Sequence, residues 1–229
     1  MTEQELFSVP VPAATKSYAP VPHKDIVETA QEVLDKYSAS LAGRTYRTNE
    51  KGTQVIGLLD LAKKTQDFGY RLTFQNSYDK SMAVGFTASV QVLVCSNGMM
   101  IDVVTHGFRR KHTGSVREEL KVYIHDCLKD LGPLMRRATE DAEKMRQVEL
   151  DRTASAELAG RLFIEQEIVT ATQLSIIKRE LEEPTYDAFQ EPNLWSFYNY
   201  VTHALKRAHP TEYVERHRKL HDFIGATYL

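Results

Sequence analysis

Residues 82–98 read MAVGFTASVQVLVCSNG. The first fifteen form a long strand or a bent pair, with Gly85 at the place of a bulge, because a glycine inside a strand often marks one. Asn97–Gly98 follows and stands between two apolar runs. Both residues tolerate positive φ, so the pair predicts a tight hairpin. MIDVVTHGF, residues 100–108, is then the returning strand.

The strand period extends backwards from this hairpin. TYRTNEKGTQVIGLLDLA (45–62) reads as strand, turn at Asn49–Gly52, strand, and YRLTFQ (70–75) as another. Residues 44–112 therefore form an antiparallel, meander-like sheet of about five strands. Ahead of it, Ile26, Ala30, Val33, Leu34 and Tyr37 share one face of a helix over 23–37. SVPVPAATKSYAPVP (8–22) holds four prolines and predicts an extended arm, able to lie on the body or to reach a neighbouring subunit.

From 115 onward the period is helical. Ser115 and Glu118 match a capping box, followed by an apolar stripe of Val116, Leu120, Tyr123, Cys127, Leu131 and Leu134. Gly132–Pro133 interrupts it. Polar helix continues to about 152, and a further helix is expected at 154–165. Thr170 and Gln173 form a second capping box, and Glu183–Pro184 ends that helix. Trp195, Tyr198, Val201 and Leu205 line an aromatic-rich helix, and Pro210 to Gly225 bound the last one. The expected fold class is α+β: an N-terminal arm and helix, a central antiparallel sheet and a helical C-terminal half. Its parts are the arm (1–22), a basic helix-plus-sheet region (23–114) and an acidic helical region (115–229) packed on the sheet, all one structural unit.

The 229 residues carry a net charge of −2, so the chain as a whole is no polycation. Residues 41–114, however, hold ten Lys/Arg against five Asp/Glu, whereas both flanks are acidic. An anion-binding surface belongs to the middle. Cys95 and Cys127 are too few for a disulfide framework and show no zinc spacing, which points to a reduced, cytoplasmic protein with no metal or cofactor. No apolar run approaches the ~20 residues of a membrane span.

Asn76–Ser81, NSYDKS, is a polar block between strands. Three readings of it stay open. Asn, Ser and Asp favour turns. Lys80 with the Ser77 and Ser81 hydroxyls could grip a phosphate. Ser77-x-x-Lys80 also has nucleophile–base spacing, but it lies in a turn rather than on a helix and lacks the companion motifs. HGFRRKHTG (106–114) puts Arg109, Arg110 and Lys111 beside His112. It reads as a strand tracking a nucleic-acid backbone or as a charged sheet edge. Arg71 extends the basic surface if alternation places it on the same face. His217 and His221, four apart, read as solvated rather than metal-bound, and the carboxylates of 140–151 and 180–191 as solvated faces.

PVPH at Pro20–His23, NSYDKS, VCSNG at Val94–Gly98, RKHTG at Arg110–Gly114 and LWSFYNYVTHAL at Leu194–Leu205 together resemble the phage/plasmid-like proteins of a large family of domains of unknown function. The resemblance implies a phage or mobile-element origin and, by neighbourhood, DNA metabolism; it brings no catalytic residues. The leading expectation is a non-enzymatic protein that binds nucleic acid, single-stranded above all, in replication or recombination. Its candidate contacts are Lys80, Ser77, Ser81, Arg109, Arg110, Lys111, His112 and Arg71, and the arm could support a homo-oligomer. A protein that binds a host protein or a small anion is the alternative, and an unrecognised nucleic-acid enzyme the third.

Overall fold

A computed structural model describes residues 1–99, 108–112, 116–129 and 131–229, with backbone alone for 108–110 and Arg117. The elements run α1 (Glu3–Phe7), α2 (His23–Lys36), β1 (Leu41–Thr48), β2 (Gln54–Lys64), β3 (Phe68–Ser77), β4 (Val84–Val92), β5 (Asn97–Met99), β6 (Phe108–Arg110), α3 (Val116–Lys129), α4 (Leu131–Gln147), α5 (Arg152–Ile164), α6 (Ala171–Glu182), α7 (Leu194–Leu205) and α8 (Pro210–Tyr228). The protein is α+β, as expected. No helix among the described residues is long and apolar enough to cross a membrane.

Strand order is β1-β2-β3-β4-β5, with β6 also pairing β4. Adjacent strands are antiparallel, from Thr48↔Val55 at one end of the first hairpin to Val84↔Arg110 on β6. The chain divides into two compact units. The first takes Met1–Ser89 with β6 and α3; the second takes the end of β4 from Val90, β5, Leu134–Ala208 and Glu212–Leu229.

In the first unit the β1–β2 turn is closed by Asn49, whose Oδ1 accepts from the Gln54 N–H at 3.2 Å. The helical stripe of α2 is buried through Ile26, Ala30, Val33 and Leu34, but Tyr37 lies past the helix end and is exposed. On α3, Val116, Leu120, Ile124 and Cys127 are buried. At Gly57 the sheet leaves no room for a side chain: a Cβ there would sit 1.9 Å from the Phe74 ring. Gly85 pairs with Arg109 in unbroken register on the β6 side, and makes room for Gln75, 2.7 Å from where a Cβ would stand.

The hairpin expected at Asn97–Gly98 forms, but its turn is Leu93–Ser96. Ser96 takes the positive φ of 56°, while Asn97 and Gly98 belong to β5 and pair with Val92 and Gln91. Most of the returning strand and the cap at Ser115 lie outside the described residues. The second unit packs its helices around α7, which is buried nearly all round. The capping box of Thr170 and Gln173 opens α6, and Asn193 caps α7 through the Ser196 N–H. α4 begins at Leu131 with Pro133 in its first turn, where a missing N–H is tolerated. Gly225 does not close α8, which continues to Tyr228.

Candidate functional site

In an antiparallel meander the β1–β2 and β3–β4 connections lie at the same end of the sheet. β6 runs antiparallel to β4 and ends at Val84↔Arg110, so Lys111 and His112 emerge there too. The arm also docks at this end: Ala19 N–H donates to the His112 carbonyl at 2.9 Å. PVPH, NSYDKS and the described part of RKHTG, Arg110–His112, therefore meet at one place.

Their contacts are dense and largely buried. Asn76 Nδ2 donates to the Val21 carbonyl at 2.7 Å and to His23 Nδ1 at 2.9 Å. His23 Nε2–H donates to the Gly52 carbonyl at 3.1 Å, and its ring stacks on Tyr78 with centroids 3.9 Å apart. The Tyr78 hydroxyl accepts from the His23 N–H, and the Tyr18 hydroxyl donates to the Tyr78 carbonyl at 3.2 Å. His112 packs against Tyr18 and donates from Nε2 to the Met82 carbonyl. Burial depresses His23 to about 4, the Gly52 hydrogen bond only partly opposing it. Burial also lowers His112. Both rings are neutral near pH 7.

Asn76→Ala is expected to destabilise the first unit by about 2 kcal/mol, since it strands a buried carbonyl and a ring nitrogen together. Urea unfolding measures it; a loss below about 0.5 kcal/mol would show that the amide carries no weight.

The bend after β3 is closed internally. Ser77 Oγ donates to the Met82 carbonyl and accepts from the Met82 N–H, and Ser77 is buried. Asp79 Oδ1 accepts from the Ser81 N–H and hydroxyl, and Oδ2 from Gln54 Nε2. Burial pushes the Asp79 carboxyl up, but the hydrogen bonds from Ser81 and Gln54 outweigh it and hold it low. Lys80 occupies the left-handed region, φ 66°, and its ammonium stands 4.7 Å above the Tyr18 ring.

Of the expected contacts, Lys80, Ser77, Ser81, Lys111 and His112 come together here. Arg109 and Arg110 are in β6, their side chains outside the described residues. Arg71 does not join them: it is buried on β3 with Nε 2.5 Å from Asp60 Oδ1. Lys16 and Lys51 were missed. Lys51 sits in the β1–β2 turn and was legible from topology, because a meander sets that turn beside the β3–β4 bend. Lys16 lies in the short Thr15–Tyr18 bridge of the arm, which carries no sequence signal.

VCSNG and LWSFYNYVTHAL meet in the same manner inside the second unit. Asn97 Nδ2 donates to the Asn199 carbonyl at 3.0 Å, Cys95 Sγ to Asn199 Oδ1 at 3.6 Å, and Lys206 Nζ to the Cys95 carbonyl. His217 and His221 are buried rather than solvated: they share the inner face of α8 with Tyr213, Leu220 and Ile224. His221 Nε2 stands 3.3 Å from Asp141, which also takes Arg137 Nε at 2.8 Å. Asp141 and Glu180 are thus interior carboxylates, not members of solvated faces. No group of three metal-ligating side chains occurs among the described residues.

A family model described as Domain of unknown function (DUF932) matches residues 12–223, and the chain belongs to that family. No curated protein and no solved structure matches it.

Proposed function

Starting from membership in a family that carries no assigned activity, we propose that this protein binds nucleic acid, preferentially single-stranded, through the arm end of its sheet. The resemblance of its signature stretches to phage/plasmid-like proteins is what puts replication or recombination first among the settings. The supporting observation is a group of exposed cations gathered at one end of the sheet. Lys16, Lys51, Lys80 and Lys111 are exposed, and no described residue forms an ion pair with them. Asp79, next to Lys80, is exposed and hydrogen-bonded to Ser81 and Gln54 rather than ion-paired with Lys80.

Strands about 4.8 Å apart spread Lys51, Lys80 and Lys111 over roughly 15–20 Å. That matches a few nucleotides better than the ~34 Å of a duplex turn. Arg71, paired with Asp60, and Ser77, spent on Met82, have no part in this reading.

Fluorescence polarisation with labelled oligonucleotides at graded salt tests it. With three or four phosphates neutralised, log Kd should change with log salt by about 2–3 on single strands. Lys80→Ala and Lys111→Ala should each reduce that slope by about 0.7 and leave the melting temperature unchanged. Absence of binding at low salt removes the proposal. It would favour instead a protein partner for Phe163 and Ile164, which are exposed at the end of α5 beside Glu165 and Glu167.

A further inference from the structure

We propose that Tyr18–His23 is an acid-released strap, held on the sheet by two histidines whose hydrogen-bond geometry admits only their neutral forms. The inference stands whether or not the protein binds nucleic acid.

The geometry around His23 leaves no freedom. The Gly52 carbonyl can only accept, so Nε2 carries the proton and Nδ1 must accept, which it does from Asn76 Nδ2. The other hydrogen of that amide goes to the Val21 carbonyl. A second proton on His23 would set donor against donor. Rotating the Asn76 amide would present Oδ1 to the new N–H, but would also turn an oxygen towards the Val21 carbonyl. Either way one bond between strap and sheet is lost.

His112 meets the strap from the other side. Its carbonyl takes the Ala19 N–H and its ring packs on Tyr18 at 5.2 Å. Nε2 is committed to Met82, and Nδ1 is buried without a partner. A proton there is a buried charge with no acceptor. The remaining groups offer no relief. Tyr78 and Tyr18 are the ring neighbours, Lys80 adds a positive charge over Tyr18, and the two histidines repel one another once charged. Asp25 acts on Tyr78 rather than on either histidine, and Asp79 is held by Ser81 and Gln54. Between Ser8 and Ser17 most residues are exposed, so little besides this seat restrains the middle of the arm.

The direction follows from the neutral preference. A histidine depressed when folded contributes stability that is full above its ordinary value of 6.5 and lost as pH falls towards about 4. From His23 alone, closure should weaken on the order of 100-fold between pH 7 and pH 4.5.

Hydrogen exchange of peptides covering residues 15–25, corrected for intrinsic rates across pH 7.5–4.5, reads the release directly. Peptides from buried α7 serve as the internal control. Protection should fall by roughly that factor in 15–25 while α7 stays protected. His23→Gln keeps a donor and an acceptor without titrating, so its protection should vary far less with pH. Wild-type histidine NMR decides the matter should that variant not fold: His23 should titrate well below 6.5. Constant protection at 15–25, loss only in step with α7, an unchanged midpoint in His23→Gln, or a His23 titration near 6.5 would each overturn the strap.

Discussion

Gly57→Ala is expected to destabilise the protein by about 3 kcal/mol, the upper end for overpacking a core. The new methyl would lie 1.9 Å from the Phe74 ring, and no flexible tail is there to swing aside. Phe74 is fully buried, and Tyr46 packs edge-on against it with centroids 6.4 Å apart. Gly57 also pairs with Tyr46 on β1 and Phe74 on β3, so the strain reaches three strands at once. Phe74→Leu removes the obstructing ring at the expense of a small cavity. The double variant should therefore be more stable than the sum of the two single losses predicts, with a coupling of about 1–3 kcal/mol. Strictly additive losses in urea unfolding would mean that the ring is not what excludes the methyl.

Asp141→Ala should cost the second unit about 2–3 kcal/mol, since it removes a charged hydrogen-bond acceptor shared by Arg137 and the buried His221. The carboxylate is completely buried and serves both Arg137 and His221, while Tyr198 closes the cluster 3.4 Å from His221 Nδ1. Asp141→Asn preserves shape and should cost less. The two also differ from the parent in acid. Burial pushes the Asp141 carboxyl up, but the hydrogen bonds from His221 and Arg137 outweigh it and hold it below the ordinary 3.8. A carboxyl lowered on folding contributes stability that is complete above 3.8 and is lost as pH falls below it. The gap between parent and Asp141→Asn should therefore narrow below about pH 4. Urea titrations at pH 7 and pH 3.5, followed by the single tryptophan, Trp195, measure both effects; a gap that widens in acid would contradict the assignment.

The meander, the helical half and the ends of α2 and α6 were legible because periodicity and caps are local. What could not be read depended on partners far along the chain. Asn97 looks like a turn residue, yet its amide is required by Asn199, and Ser96 bends the chain instead. Arg71 looks like part of a basic surface until Asp60, eleven residues earlier, is found beside it. His217 and His221 stand among charged neighbours that suggest water, but the helix turns that face inward with Tyr213 and Leu220. NSYDKS was legible as a hydroxyl-rich turn. That it also forms the seat of the arm was not, because Asn76 and Val21 lie 55 residues apart.

The pairing of Asn97 with Asn199 also bears on how the protein is made. The first unit can gather most of its strands early, since its hairpins close between neighbours in the chain. The end of β4 and β5 must wait for α7, whose Asn199 emerges 102 residues after Asn97. At about 5–20 residues per second, translation leaves that short apolar ribbon without its partner helix for roughly 5–20 s. During the interval Val90, Val92 and Met99, all destined for the interior, are available to other nascent chains. Slow synthesis, or a stop between residues 100 and 194, should thus favour aggregation over a stable fragment.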